Sequence, residues 1–202
     1  MKISTNELKE KLKIVKTVIP TKATNAALEC ALIKNGRIYG SNSLISISTP
    51  INIDGEFLIP KRAIDIINCS HSNEIEFIIT EKALTIKFGN ATSRFPIINT
   101  NDYIDIPSAV KNDWCILTEE KINLINDVAY AATTTDERPI YKSVLFDDEI
   151  VALDGVRVAV AKNGVNFRCI IPATAFKALA LLSGDNIKFT QEKNKLFFVG
   201  FR

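Results

Sequence analysis

Two stretches decide the fold: GEFLIPKRAIDIINCS at Gly55–Ser70 and NFRCIIPATAFKALALLS at Asn166–Ser183. Each is a short apolar run, a proline and then a helix-like pattern. Working outward, the first leads into NEIEFIITEKALTIKFG (Asn73–Gly89) and the second into DNIKFTQEKNKLFFVG (Asp185–Gly200). Pro60 stands 15 residues before Ile75, and Pro172 stands 15 before Ile187. Gly89 and Gly200 close the two copies 29 and 28 residues after their prolines. Self-similarity on this scale means one supersecondary plan written twice. The front halves match at an offset of 113, with Ile3-Ser4-Thr5 answering Ile116-Leu117-Thr118, and Leu12 and Val15 answering Ile125 and Val128. The second copy begins near Ser108, after YIDIP, so the expected domains are 1–107 and 108–202.

Hydrophobic spacing fills in the elements. Leu8, Leu12, Val15 and Ile19 share one face of a helix expected over Asn6–Ile19, which Pro20 stops. A second helix follows Pro60 with Ile64 and Ile67 inward. A third opens at Thr118, an N-cap residue type, with Glu119 and Glu120 in the first turn, where the dipole favours acids. Its apolar stripe is Ile122, Ile125 and Ala129. A fourth spans Ala173–Ser183 with Phe176, Leu179 and Ala180 inward. RIYGSNSLISISTPI, EIEFIITE, ALTIKFG, SVLF, EIVALDG and KLFFVG read as strands, separated by turns such as Asn35-Gly36 and Asp147-Asp148. Each unit is expected to run short strand, helix, strand pair, strand, helix, strand pair. This is an α+β class, two similar domains with two helices each on antiparallel sheets.

Composition sets outer bounds. The chain has 202 residues, 47% hydrophobic and 24% charged, with net charge +2 and a pI of about 8.3. That balance is too weak to argue for nucleic acid alone, so the placement of charge decides. No apolar run approaches the roughly 18 residues of a membrane span, and MKISTNELKEKLK lacks the apolar core of a secretory signal. A cytoplasmic, nucleoid-associated protein with no membrane partner is expected. Cys30, Cys69, Cys115 and Cys169 lie 39, 46 and 54 residues apart, a spacing that supports neither a disulfide framework nor a zinc site; they read as buried reduced thiols.

Catalytic patterns are lacking. The one histidine, His71, sits in the polar stretch NCSHSN, where solvation is the ordinary fate. There is no phosphate-cradling glycine loop and no nucleophile elbow. Asp147, Asp148 and Glu149 form an acidic turn without the second carboxylate cluster that a two-metal site needs. The chain reads as a non-enzyme without cofactor or metal.

The resemblance enters at three stretches. SRFPIINTNDYIDIP (Ser93–Pro107) resembles the segment that ends the first domain of the bacterial DNA sliding clamp, the beta subunit of DNA polymerase III, and leads into its second. NGRIYGSNSLISIS (Asn35–Ser48) resembles its central strand pair. DERPIYKSVLF (Asp136–Phe146) followed by ALDGVRVAV (Ala152–Val160) is the most specific match, although the family's usual threonine before Asp-Gly is Leu153 here. The resemblance runs the whole chain in order and implies the DNA-clamp fold: a ring of six such domains around duplex DNA, sheets outside and helices lining the hole. Bacterial clamps reach six with two chains of three domains, archaeal and eukaryotic ones with three chains of two.

Against that pattern a third domain is absent, as is the last strand of the second, so a truncated two-domain form is expected. The alternatives are a complete two-domain relative closing as a homotrimer, and a clamp-fold module that binds polymerase or loader without encircling DNA. The implied function is a replication processivity factor that tethers the polymerase, itself a non-catalytic subunit. Its partners would be double-stranded DNA without sequence preference, the DNA polymerase III alpha subunit and the clamp loader through short hydrophobic peptides, and further copies if the chain closes a ring.

Lys9, Lys13 and Lys16 form a stripe on the first helix, with Lys22 in the following loop, and Lys61 and Arg62 opening the second helix. Such cations attract phosphates whatever the bases. The resemblance places Lys22 at a DNA-touching position and Thr135 at a polar one facing the hole; Lys121 and Lys177 complete the DNA-facing candidates. A solvated helix face is the competing reading for all of them. The resemblance also carries over a partner-peptide pocket at Arg138, Tyr141, Leu153, Gly155, Val156, Arg157 and Val158, an apolar floor with arginines at the rim. The competing reading has Val156 and Val158 packing around a turn and Arg157 pairing with Asp154.

Overall fold

Helix α1 (Thr5–Lys16) forms because Leu8, Leu12 and Val15 recur on one face, and all three are fully buried. Sinking each is worth about 1.5–3 kcal/mol, far more than the local propensity of so short a helix. It ends a turn before Pro20: the Thr17 hydroxyl donates to the Ile14 carbonyl at 2.7 Å, and Ile19 lies beyond the helix, half-buried. The computed structural model describes residues 1–110, 113–133, 135, 138–162, 168–179, 186–192 and 195–200, without the side chains of 177, 178 and 186.

Two compact units result, Met1–Ile106 and Pro107–Arg202. The first runs β1 (Lys2–Ser4), α1, β2 (Cys30–Lys34), β3 (Arg37–Ser41), β4 (Ser46–Pro50), β5 (Phe57–Pro60), α2 (Lys61–Cys69), β6 (Glu74–Ile79), β7 (Ala83–Phe88) and β8 (Ala91–Pro96). The second runs β9 (Cys115–Thr118), α3 (Glu119–Ala129), β10 (Ser143–Phe146), β11 (Glu149–Leu153), β12 (Val158–Lys162), β13 (Cys169–Pro172), α4 (Ala173–Leu179), β14 (Asn186–Glu192) and β15 (Lys195–Gly200). Four strands precede the second helix of each unit, one more than expected. RIYGSNSLISISTPI is a hairpin of β3 and β4 turning at Asn42–Ile45, and the apolar run at Cys30 is a strand of its own.

Every strand pair is antiparallel. The first unit holds sheets of order β1-β6-β7-β8 and β4-β3-β2-β5; the second holds β12-β11-β10-β13 and, among the described residues, β15-β14-β9. Asn35 and Gly36, both at positive φ, close the two-residue β2–β3 turn. The proline equivalence is structural: Pro60 pairs with Cys30, and Pro172 pairs with Ser143.

The strand offset needs a correction. Ile3 pairs with Ile75 and is buried, while Leu117 pairs with Ile187 and is buried; Ile116 is 53% exposed. Ile3 therefore answers Leu117 rather than Ile116. Alternation in a strand allows nothing else, because a one-residue slip sends the apolar side chain to the other face. The helices keep the offset of 113, with Leu12 and Val15 buried in one unit and Ile125 and Val128 in the other. One residue is absorbed at the strand-to-helix junction.

In the first unit Phe57 and Phe77 meet at 5.4 Å between centroids; in the second Phe146 and Phe176 meet at 5.9 Å. Ile64 and Ile67 of α2 and Phe176 and Leu179 of α4 point inward as read, while Ala180 lies outside the described residues. Thr118 occupies the N-cap of α3, but its side chain makes no capping hydrogen bond. All four cysteines are free thiols. Two of them depart from the buried reading: Cys69 and Cys115 are exposed, Cys169 is half-buried and Cys30 is buried. Cys69 ends α2 and Cys115 begins β9, where the chain leaves the core.

Candidate nucleic-acid interface and partner-peptide site

The basic residues of the first unit gather because α1 and α2 lie side by side, running in opposite directions. Lys9 Nζ donates to the Ser70 carbonyl at 2.5 Å, Lys16 Nζ pairs with Asp65 Oδ1 at 2.8 Å, and Lys61 Nζ donates to the Thr21 carbonyl at 3.2 Å. Climbing α1 thus descends α2. Lys9, Lys13 and Lys16 line one shallow cleft with Thr17 and Asn68.

These contacts divide the lysines. Lys9 and Lys16 spend their ammonium groups on the neighbouring helix, whereas Lys13, Lys22 and Arg62 are exposed and make no ion pair. The end where α1 finishes and α2 starts collects Lys16, Lys22, Lys61 and Arg62. Helix α2 opens there with no acidic residue in its first turn and Pro60 as N-cap, so its unpaired N–H groups and positive dipole end add to the four cations. The physical result is a surface suited to anions.

The second unit offers a different helix face. Lys121 is half-buried, and the exposed positions of α3 are Glu119, Glu120, Asn123, Asn126 and Asp127. Repulsion of a polyanion, not attraction, is the expectation there. Thr135 is exposed, and its hydroxyl lies 3.2 Å from that of Thr133. The side chain of Lys177 lies outside the described residues.

The partner-peptide candidates converge on two turns of the second unit. The four-residue connection Asp154–Arg157 joins β11 to β12, whose ends pair through Leu153 and Val158. Asp154 organises it: one carboxylate oxygen accepts from the amides of Val156 (3.0 Å) and Arg157 (2.8 Å), the other from the Arg157 guanidinium (2.9 and 2.6 Å). These donors, the Arg157 amide foremost, pull the Asp154 carboxyl from 3.8 to about 2. Arg157 thus does pair with Asp154.

Packing does not account for the valines. Val156 is 94% exposed and Val158 63%. Gly155, at φ +88°, lies against the Tyr141 ring: a Cβ there would be 3.6 Å from it, in a conformation that costs an L residue. Arg138 sits over the other contact surface of that ring, 4.0 Å from its centroid. The result is an open apolar surface with Arg138 and Arg157 at its margins. Two residues escaped the sequence reading: Tyr130, 63% exposed with the Arg157 guanidinium 5.9 Å from its ring, and Ile140, 59% exposed. Tyr130 follows the apolar stripe of α3 directly, and a large aromatic left at a helix end is the signal that would have found it.

His71 is exposed. Among the described residues no group of three or more His, Cys, Asp or Glu side chains is placed to hold a metal ion, and no helix is long and apolar enough to cross a membrane.

Comparison with solved structures fixes the fold. The DNA polymerase sliding clamp of Bacillus subtilis matches 98% of this chain at 18% identity with a TM-score of 0.81. The DNA polymerase III beta chain of Streptococcus pneumoniae matches 98% at 20% identity with a TM-score of 0.79. The beta subunit of the Streptococcus pyogenes DNA polymerase matches 99% at 18% identity with a TM-score of 0.80. The chain has the α+β DNA-clamp fold. It spans 60–61% of the length of those three structures. No protein-family model matches it. No curated protein matches it either.

Proposed function

We propose that this chain supplies two domains, 1–107 and 108–202, of a replication processivity clamp of the DNA polymerase III beta-subunit type. Such a clamp encircles duplex DNA and tethers the polymerase without catalysing a reaction. The observation that carries the reading is the cationic end of the α1–α2 pair, on a fold whose solved relatives are sliding clamps. Lys13, Lys22 and Arg62 would contact phosphates directly, and Lys9, Lys16 and Lys61 would add their field while bonded to the protein. Contacts of this kind release counterions without reading bases, which is what sliding requires.

The turn at Leu153, Gly155, Val156, Arg157 and Val158, with Arg138 and Tyr141, would take the short hydrophobic peptides of a polymerase alpha subunit and a clamp loader. Val156 offers apolar surface, and Arg157, held by Asp154, keeps its shape without the ligand. A cytoplasmic, nucleoid-associated location follows from this role.

The test is retention on DNA of different topology. Incubated with nicked circular plasmid and washed in high salt, an encircling clamp stays bound and runs off once the plasmid is cut. Equal retention on both forms would remove the encircling role and leave a clamp-fold module that docks partners.

A further inference from the structure

The two units treat the same sheet face differently. In the first, the face of β4-β3-β2-β5 turned away from the helices carries Leu32, Leu58 and Tyr39, with Leu32 paired to both others. It is covered by the segment Ile97–Ile106, whose Tyr103, Ile98 and Ile104 pack on it; Leu32 is 6% exposed, Leu58 1% and Tyr103 6%. In the second unit the register puts Leu145 where Leu32 stands, paired to Ile170 and Val151 in place of Leu58 and Tyr39. Val160 continues the row beside Val151. There Leu145 is 38% exposed, Ile170 56% and Val160 51%. An apolar row across four strands, built at positions the other copy covers, is a surface shaped for cover.

Charge at the rim is reversed between the copies. In the first unit Lys34 pairs with Glu56 at 2.8 Å beside the covering segment, and Asp105 of that segment lines the same cleft. The Glu56 hydrogen bond first, and Asp105 in addition, hold the Lys34 ammonium above its ordinary range. In the second unit Asp147 follows β10 as Lys34 ends β2, and Arg168 precedes β13 as Glu56 precedes β5; they pair at 2.5 Å. The acid has moved to where the base was. A single four-stranded face measures about 300 Å², from strands about 4.8 Å apart and a rise of about 3.3 Å per residue. Two such faces bury well under the roughly 1,200–2,000 Å² of a stable dimer, so area favours a strap over a second copy.

We infer that the open face of β12-β11-β10-β13 docks an extended segment of a partner polypeptide, with aliphatic or aromatic side chains over Leu145 and Ile170 and a lysine or arginine beside Asp147. This surface is separate from the turn at Gly155, and the inference does not depend on DNA binding.

The probe is a fluorescein-labelled peptide with the sequence of Ile97–Ile106 and the change Asp105→Lys, titrated against the whole chain by anisotropy. Saturable binding is expected, weakened about tenfold or more by Leu145→Lys and by Ile170→Lys, unchanged by Arg157→Ala, and tighter than for the peptide retaining Asp105. Thermal melts that match the parent exclude unfolding of the variants, and the two variants serve as checks on each other. No saturable binding, or equal binding to parent and both lysine variants, would overturn the inference. So would a solution mass that doubles with concentration and reverts in Leu145→Lys, since a second copy would then occupy the face.

Discussion

Gly40 on β3 lies against the carbonyl oxygen of Val15 on α1: a Cβ built on Gly40 would sit 2.5 Å from that oxygen and 3.0 Å from the Val15 Cβ. Its φ is not in the left-handed region, so space and not conformation demands glycine. The matching position of the second unit, Ala152 on β11, holds a methyl and is 1% exposed. Gly40→Ala is expected to cost about 1–3 kcal/mol by overpacking, read as a lower urea midpoint at unchanged slope. An unchanged midpoint would mean that α1 moves freely on its sheet.

Asp154 gives a pH signature. Its carboxyl is held at about 2 against an ordinary 3.8, so the order it lends the turn is complete above about pH 4 and fades as pH falls toward 2. Amide exchange of Val156 and Arg157 should be slow at pH 6. Asp154→Asn should speed it there, with the difference closing as pH approaches 2. A difference that persists unchanged at pH 2 would assign the turn's order to its backbone alone.

Much of this was legible in the sequence. The doubled apolar–proline–helix pattern located both halves, because burial fixes periodicity and proline fixes a helix start. The shift from Ile116 to Leu117 was not legible, since the two are equally apolar and only pairing with Ile187 separates them. Nor was the engagement of Lys9 and Lys16: spacing put three lysines on one face, but which ones bond to Ser70 and Asp65 depends on α2, 49 to 61 residues away. Tyr130 and Ile140 were passed over because exposed apolar residues look like core residues in a one-dimensional pattern.

Val156, nearly free of protein contact, should tolerate change. Val156→Asp is expected to alter stability by less than about 0.5 kcal/mol, while weakening any hydrophobic peptide held at this turn by about tenfold. A calorimetric titration with a polymerase-derived peptide checks it; unchanged affinity would move the peptide site elsewhere.

The thiols should divide by position. Burial raises Cys30 to about 11 and Cys169 to about 12, and Cys69 and Cys115 are exposed. An aromatic disulfide reagent at pH 8 should consume Cys69 and Cys115 first and reach Cys30 only on unfolding. Fast reaction of all four would contradict the core described for the first unit.

The most direct measurement is the affinity for short duplexes of unrelated sequence across a salt series, with the parent and with Lys13→Ala, Lys22→Ala and Arg62→Ala. The account predicts similar affinity for every duplex, a steep fall with salt, and a slope reduced by about 0.9 for each phosphate contact removed. Selective binding to one sequence, or a salt slope untouched by all three substitutions, would contradict it.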